Sequence, residues 1–144
     1  MFFLDTLTIT TAHVLLFGTP SALLKKYPDL SISVSLEQVQ SNFARYGLLD
    51  EQVRFVKGWF RDTLPNLPAK RRAVARLDGD MYESTIDALV HLYPKLSLGG
   101  YLVVDDYGNI GECRQAVDDY RAGQGISEEI RPIDASGVYW RRLR

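Results

Sequence analysis

The sequence predicts an α/β fold built around a doubly wound, mostly parallel sheet. Apolar stretches of strand length alternate along the chain with stretches whose apolar residues recur at the spacing of a helix. One strand-like stretch, residues 101–104, reads Tyr-Leu-Val-Val, which is typical of a strand buried on both faces. Since strands that alternate with helices pair in parallel, these two observations favour a parallel sheet covered by helices.

The N-terminal stretch predicts two short strands. Residues 7–10 and 14–17 are rich in Thr, Leu, Val and Phe, and the Gly-Thr-Pro sequence at 18–20 predicts a turn after them. The pattern over residues 21–33 is ambiguous, and Pro28 interrupts any helix there.

From Ser35 onward, helix and strand signals alternate clearly. Ser35 and Gln38 form a capping box ahead of an apolar stripe, and Gly47 supplies the end of that helix. The other predicted elements, in order, are strands at 53–56 and 73–77 separated by a loop at 61–68, a helix at 83–95, a turn at 99–100, the strand at 101–104, a helix at 112–121, and an antiparallel pair of strands at 129–133 and 138–141.

Length and composition are those of one soluble globular domain. The chain has 144 residues, of which 46% are hydrophobic and 24% charged, and its net charge is -1. A chain so close to neutral has no overall positive field that would attract nucleic acid or an anionic membrane. No segment approaches the ~18 apolar residues of a membrane span. Cys113 is the only cysteine, which favours a reducing cytoplasm. It falls on an apolar helix face, so we expect it to be a core residue.

Two pairs of carboxylates follow two neighbouring predicted strands. Asp78 and Asp80 come after the strand at 73–77, and Asp105 and Asp106 come directly after the next strand. The carboxyl ends of parallel strands meet at one edge of a sheet, which is where open α/β sheets bind ligands. Gathered carboxylates repel one another unless a hard cation or a shared proton compensates. The pattern therefore predicts a divalent metal site.

An Asp-x-Asp sequence after a strand is shared by several chemistries. Haloacid-dehalogenase-type phosphatases use it with Thr or Val where this chain has Tyr82, and nucleotide-sugar glycosyltransferases use it in longer chains to hold a metal on a diphosphate. A third reading is that the carboxylates only cap the positive ends of helices. The two acidic pairs alone leave these alternatives open.

Longer motifs around the acidic pairs narrow the choice. They lie at residues 34–39, 42–50, 57–65, 76–85, 92–97, 99–108, 113–117 and 137–140, and include Lys-Gly-Trp-Phe-Arg-Asp-Thr-Leu-Pro, Arg-Leu-Asp-Gly-Asp-Met-Tyr-Glu-Ser-Thr and Tyr-Leu-Val-Val-Asp-Asp-Tyr-Gly. This ordered set closely resembles the macrocin O-methyltransferase family. The family includes S-adenosylmethionine- and Mg²⁺-dependent enzymes that methylate deoxysugar hydroxyls of macrolide and aminocoumarin antibiotics. The resemblance implies a Rossmann-like class I methyltransferase sheet with an antiparallel C-terminal strand.

The resemblance also implies a role for each acidic residue. Asp78, Asp105 and Asp106 match the positions of the magnesium ligands, and Asp80 matches the residue proposed as general base. The chemistry agrees, because a metal that chelates sugar oxygens lowers the pKa of the hydroxyl and a nearby carboxylate can then take its proton.

Two further sets of residues are implied to line the site. Gly58, Trp59 and Phe60 match the wall beside the cofactor adenine, and Asp78 borders the same cofactor, while aromatic core packing remains the alternative for Trp59. The implied partner is a small glycosylated natural product. Candidates for the wall of a sugar pocket, with core packing again the alternative, are Tyr82, Tyr107, Tyr139 and Trp140.

The N-terminal segment departs from the family. Residues 1–33 contain neither the Gly-rich cofactor turn nor the acidic ribose-binding strand end that the family places there, so we divide the chain into this atypical segment and a methyltransferase part at 34–144. Without the first family strands, the strand at 53–56 would be detached and an apolar edge exposed. Either residues 7–17 replace a missing strand, or a second copy in a homo-oligomer supplies it, or the chain is a fragment, which we favour. The chain is then either an active methyltransferase or a remnant that keeps the metal site and binds cofactor poorly.

Overall fold

A seven-stranded sheet carries four helices in the part of the chain that the structure describes, residues 6–10, 14–17, 35–68 and 71–144 of this computed structural model. The strands are β1 (Thr6–Thr10), β2 (Val14–Phe17), β3 (Arg54–Lys57), β4 (Arg72–Leu77), β5 (Leu96–Val104), β6 (Arg131–Pro132) and β7 (Val138–Arg141), and the helices are α1 (Leu36–Arg45), α2 (Phe60–Thr63), α3 (Tyr82–Leu92) and α4 (Gly111–Gln124).

The sheet is mixed, and its strand order is β3-β2-β1-β4-β5-β7-β6. Strands β2 and β3 pair in parallel, as do β4 and β5, whereas β1 and β7 run antiparallel to their neighbours. Five of the seven strands therefore point the same way. The predicted α/β class, with a mostly parallel sheet and an antiparallel strand at the C-terminus, is confirmed.

Strands β1 and β2 fill the middle of the sheet. They pair with each other, β1 pairs with β4 through Ile9 opposite Ala75, and β2 pairs with β3 through Leu15 opposite Phe55. The two strands predicted near the N-terminus are thus confirmed, and they lie between β3 and β4 in the sheet. The turn predicted at 18–20 and the interruption at Pro28 lie outside the described residues.

The core lies between the sheet and helices α3 and α4. Helix α3 turns Ala88, Leu89 and Leu92 inward, and α4 contributes Cys113 and Val117. Burial raises the pKa of the Cys113 thiol to about 12, so this residue is an inert part of the core, as predicted. Among the described residues, no helix has both the length and the apolar character to cross a membrane.

One local prediction was wrong and another is partly confirmed. The turn predicted at 99–100 lies inside β5, where Gly99 has φ +82° and its N–H donates to the Arg142 carbonyl at 2.6 Å, so the backbone bulges and keeps its pairing. A Cβ on Gly100 would lie 2.8 Å from the Ala73 carbonyl oxygen, which explains the second glycine. The loop predicted at 61–68, for which one short turn was also predicted, does contain a short 3-10 turn, Leu64–Asn66, and in addition the end of α2.

The Ser35 prediction is half confirmed. The Ser35 side chain accepts a hydrogen bond from the Gln38 N–H at 3.1 Å, which caps α1. The Gln38 amide donates to Asn42 instead of completing the box. Helix α1 ends before Gly47, whose φ of +67° suits a glycine.

We expect Leu102→Ala to lower the free energy of unfolding by about 2–5 kcal/mol, because Leu102 in β5 is fully buried and truncation leaves a cavity. The matched control is Leu98→Ala on the same strand, where the side chain is 66% exposed and the change should stay within about 0.5 kcal/mol. Chemical denaturation measures both. Equal losses would contradict the placement of the core.

Candidate active site

The pairing of β4 and β5 brings the two acidic segments together. The strands are parallel, Leu77 lies opposite Val104, and the Asp105 N–H continues the ladder by donating to the Leu77 carbonyl at 2.9 Å. Asp78 and Asp105 therefore leave their strands side by side at the carboxyl edge of the sheet.

Asp80 reaches this edge through a left-handed turn. Its φ is +50°, a conformation that costs a residue other than glycine about 1–3 kcal/mol. The Met81 N–H and the Ser84 hydroxyl both donate to the Gly79 carbonyl, which holds the turn. Such strain is concentrated at functional sites, so the turn marks Asp80 as a functional candidate.

Asp78, Asp80 and Asp106 form one acidic cluster. All three are buried, and each offers a carboxylate oxygen within 4.8 Å of the others. Asp80 Oδ1 and Asp106 Oδ2 are buried without a hydrogen-bond donor in the described part of the chain. Buried oxygens of this kind are what a hard cation satisfies, so the residues fit Mg²⁺.

Asp105 is not part of the acidic cluster. Its Oδ2 lies 2.6 Å from Arg76 Nη2, while Arg76 Nη1 lies 3.0 Å from Asp78 Oδ2. The structure thus brings three of the four predicted acidic residues together and engages the fourth with an arginine. Sequence reasoning missed Arg76, although its position two residues before Asp78 on a strand placed both on one side of the sheet.

The carboxyl groups of the cluster hold their protons unusually well. Burial raises the pKa of Asp78 to about 7 despite the opposing charge of Arg76, and the charges of Asp105 and Asp106 add to the rise. Burial, followed by the charge of Asp106, raises the pKa of Asp80 to about 7. The pKa of Asp106 is also raised, chiefly by burial. Near neutral pH, full ionisation of the cluster therefore needs a compensating cation.

The predicted cofactor residues lie where β3 ends, at the same edge of the sheet. Gly58 has φ +147°, and a Cβ there would lie 2.8 Å from Thr63 Cγ2. Trp59 is 37% exposed, with Arg61 5.7 Å above its ring, so it is not a core residue. Phe60 is buried in the core. The cofactor roles stay predictions.

The four aromatic candidates for a sugar pocket separate into two groups. The Tyr82 hydroxyl donates to Asp119 at 3.1 Å and the Tyr107 hydroxyl to Asp118 at 2.9 Å, so α4 tethers both rings beside the acidic segments. Trp140 is wholly buried in the core. Tyr139 packs 6.1 Å from another tyrosine ring, on β5. Only the first two remain candidates for the pocket.

Comparison with known proteins identifies similar chains. A family model for macrocin O-methyltransferase (TylF) matches residues 21–142. The chain is 61% identical over 110 residues to the 8-demethyl-8-(2,3-dimethoxy-alpha-L-rhamnosyl)-tetracenomycin-C 4'-O-methyltransferase of Streptomyces olivaceus, an alignment that covers 76% of this chain and 42% of that protein. The chain therefore spans less than half the length of this curated relative.

Solved structures are similar as well. The O-methyltransferase NovP matches with a TM-score of 0.79 and 54% identity, over 85% of this chain and 50% of NovP. The Podospora anserina methyltransferase PaMTH1, solved with bound SAH, matches with a TM-score of 0.61 and 16% identity, over 91% and 60% of the two chains. The fold is that of the class I methyltransferases.

The raised pKa of Asp80 predicts how stability depends on pH without metal. A carboxyl whose pKa rises from 3.8 to about 7 on folding binds its proton more tightly when folded, so its contribution to stability is lost as pH rises through that interval. Asn cannot ionise and tolerates positive φ. Relative to the wild type, Asp80→Asn should gain stability between about pH 4 and 7.

Denaturant titrations at several pH values, with a chelator present, measure this difference. A difference that stays constant across the interval would show that the Asp80 carboxyl titrates normally.

Proposed function

Because the chain belongs to the macrocin O-methyltransferase family, we propose that it transfers a methyl group from S-adenosylmethionine to a sugar hydroxyl of a glycosylated natural product, with Mg²⁺ at the acidic cluster. The observation that carries the proposal is the set of three buried carboxylates at the carboxyl edge of β4 and β5, with oxygens that lack donors. A cytoplasmic location stays a prediction.

Asp78, Asp105 and Asp106 are the proposed metal ligands. All three are carboxylates at the ends of the neighbouring strands β4 and β5, Asp78 and Asp106 are buried, and oxygen ligands suit Mg²⁺. When bound, Mg²⁺ would supply Lewis acidity that lowers the pKa of a sugar hydroxyl. In this structure, which contains no metal ion, the Asp105 carboxylate pairs with Arg76.

Asp80 is the proposed general base. Its carboxyl lies beside the proposed ligands, and its raised pKa of about 7 suits a group that accepts a proton near neutral pH. The proton of the sugar hydroxyl would pass to Asp80 as the hydroxyl oxygen takes the methyl group from the sulfonium of the cofactor. The strained turn holds the carboxylate in place before substrate arrives.

The walls of the proposed site are aromatic. Trp59 at the end of β3 is exposed enough to stack on the cofactor adenine, and Tyr82 and Tyr107 are candidates for contact with the sugar. The sugar substrate is inferred from the relative whose name specifies a rhamnosyl group. No observation favours the phosphatase or glycosyltransferase alternative.

A second candidate function is a metal-binding module that binds cofactor poorly. The specific observation is the direction of β1, which runs antiparallel to β4 and so begins, rather than ends, at the edge where the acidic cluster lies. A strand of this direction cannot deliver a strand-to-helix turn to the cofactor at that edge. The two candidates share the metal site and differ in cofactor binding.

We expect Asp78→Asn and Asp106→Asn each to weaken Mg²⁺ binding by about tenfold or more, because each removes a charged ligand. Isothermal titration calorimetry measures the affinity. The control is Asp50→Asn, since Asp50 is an exposed carboxylate in the connection that enters β3 from the opposite edge of the sheet. Unchanged affinity in both ligand variants would contradict the site.

Asp80→Asn should lower kcat for methyl transfer to a deoxysugar glycoside by about 10²–10⁴-fold, because the base is lost. Mg²⁺ binding should weaken less than in Asp78→Asn or Asp106→Asn, because both of those proposed ligands remain, and this difference separates the base from the ligands. Transfer from radiolabelled S-adenosylmethionine provides the rate. A variant with full activity would remove Asp80 from the mechanism, and a wild type that binds Mg²⁺ without transferring methyl groups would favour the second candidate.

Cofactor binding should change the fluorescence of Trp59. The chain has two tryptophans, and the other, Trp140, is buried in the core, so a change on addition of S-adenosylmethionine should disappear in Trp59→Phe. Calorimetry on the same samples gives the affinity independently. Binding that leaves Trp59 emission unchanged would place the adenine elsewhere, and no binding at millimolar cofactor would favour the metal-binding module.

A further inference from the structure

Arg114 binds the backbone of the loop that carries two of the proposed metal ligands. This β5–α4 loop, residues 105–110, joins the end of β5 to the start of α4. Arg114 Nε donates to the Tyr107 carbonyl at 3.0 Å, and Arg114 Nη2 donates to the Gly108 carbonyl at 3.0 Å. The guanidinium carbon also lies 5.2 Å from the centroid of the Tyr107 ring. One side chain of α4 therefore holds two consecutive peptide groups that directly follow Asp106.

Further contacts hold the β5–α4 loop on its other sides. The Tyr107 hydroxyl donates to Asp118 on α4 at 2.9 Å. The Gly108 N–H donates to the Ser136 carbonyl at 2.7 Å, and a Cβ on Gly108 would clash with the Ala135 carbonyl oxygen. The loop is thus packed between α4 and the connection from β6 to β7, so its backbone has little freedom to move away from the sheet.

The position of Arg114 in α4 is unfavourable for a cation. It is the fourth residue of the helix, near the positive end of the helix dipole, where an anion is the better residue. Its contacts with the loop offset this cost, because a guanidinium donates in a fixed fork to two carbonyls at once, which the ammonium of a lysine cannot do. A residue that breaks a local rule in this way is expected where function requires it.

The β5–α4 loop has to resist repulsion between carboxylates. Asp106 is buried, and its carboxylate lies within 4.8 Å of those of Asp78 and Asp80. Like charges at this distance favour a loop that moves outward. A loop held by several contacts keeps Asp106 in place, so the cost of bringing the charges together is met during folding and does not reduce the affinity for a cation.

We propose that Arg114 is a positioning residue that holds the β5–α4 loop in its cation-binding conformation and thereby raises the affinity of the site for Mg²⁺. The inference rests on the proposed function, because it requires a cation at the acidic cluster. Arg114 acts through the backbone of Tyr107 and Gly108 and is not itself a ligand.

The charge of Arg114 and its positioning role have opposite effects on cation binding. Removal of a positive charge near a cation site tightens binding if electrostatics alone acts. Removal of a positioning contact weakens binding, because the loop must then be ordered as the cation binds. A merely structural role would lower the stability of the fold and leave the Mg²⁺ affinity of the folded protein unchanged.

Calorimetric titration of the folded protein with Mg²⁺ distinguishes these effects and needs no turnover. Arg114→Met keeps the apolar stem and removes the donors, so it should weaken Mg²⁺ binding by about tenfold or more, as loss of a supporting contact around a metal site commonly does. Arg114→Lys keeps the charge without the fork and should recover only part of the affinity.

The matched control is Arg141→Met. Arg141 Nε donates to the Gly99 carbonyl at 3.0 Å, and its guanidinium carbon lies 5.8 Å from the Tyr101 ring, so it makes the same two kinds of contact. These contacts lie away from the carboxyl edge, since Arg141 on β7 is opposite Tyr101 and not opposite the last residue of β5. Arg141→Met should leave Mg²⁺ affinity unchanged.

Hydrogen exchange in the metal-free protein tests the hold on the loop directly. In Arg114→Met the Gly108 amide should exchange about tenfold faster relative to the Leu102 amide in β5, which reports global unfolding. The reason is that the bond from Gly108 to Ser136 opens more often once the neighbouring carbonyls lose their donor. Equal acceleration of both amides would show a global loss of stability and would overturn the positioning role.

Two titration results would overturn the inference while the metal site stands. One is Mg²⁺ binding in Arg114→Met that is unchanged or tighter than in the wild type. The other is equal weakening in Arg141→Met, which would make the effect a general consequence of losing an arginine. Failure of the proposed function appears differently, as a wild type that binds no Mg²⁺, and that result would overturn the inference together with the metal site.

Discussion

The parallel pairing of β4 and β5 is the constraint on which the rest of the molecule depends. It ends two strands side by side, and each of those strands is followed by carboxylates. Burying these groups together is unfavourable unless protons, a guanidinium or a metal ion offset their charges. The raised pKa values of Asp78 and Asp80, the Arg76 bridge and the fit to Mg²⁺ are three consequences of this one arrangement.

The packing of the helices supports the same arrangement. Helices α3 and α4 follow β4 and β5 and pack against them through the apolar core. The acidic cluster lies just beyond this core, at the carboxyl edge of the two strands. Helix α4 also holds Tyr82 and Tyr107 through two aspartates. The proposed metal side of the site is therefore built from two consecutive strand–helix units.

The proposed cofactor side depends on the other half of the sheet, which is built differently. Strands β1 and β2 join β3 to β4, so the position of Trp59 relative to the acidic cluster depends on a hairpin. That hairpin completes the sheet and prevents the exposed edge that an interrupted sheet would have. Its first strand, β1, runs opposite to β4 and so does not end at the edge where the acidic cluster lies. The two candidate functions therefore differ in whether this half of the sheet binds the cofactor.

The sequence by itself determined the strand and helix order, the core helices and the family, because periodicity and long ordered motifs are local properties of the chain. It also predicted that carboxylates would gather at one sheet edge. Only the tertiary structure decided that Asp105 turns to Arg76 while Asp80 joins Asp78 and Asp106. That division depends on strand register and on one left-handed residue, and neither leaves a signal in the residue pattern, because both arise from pairing between segments far apart in the chain.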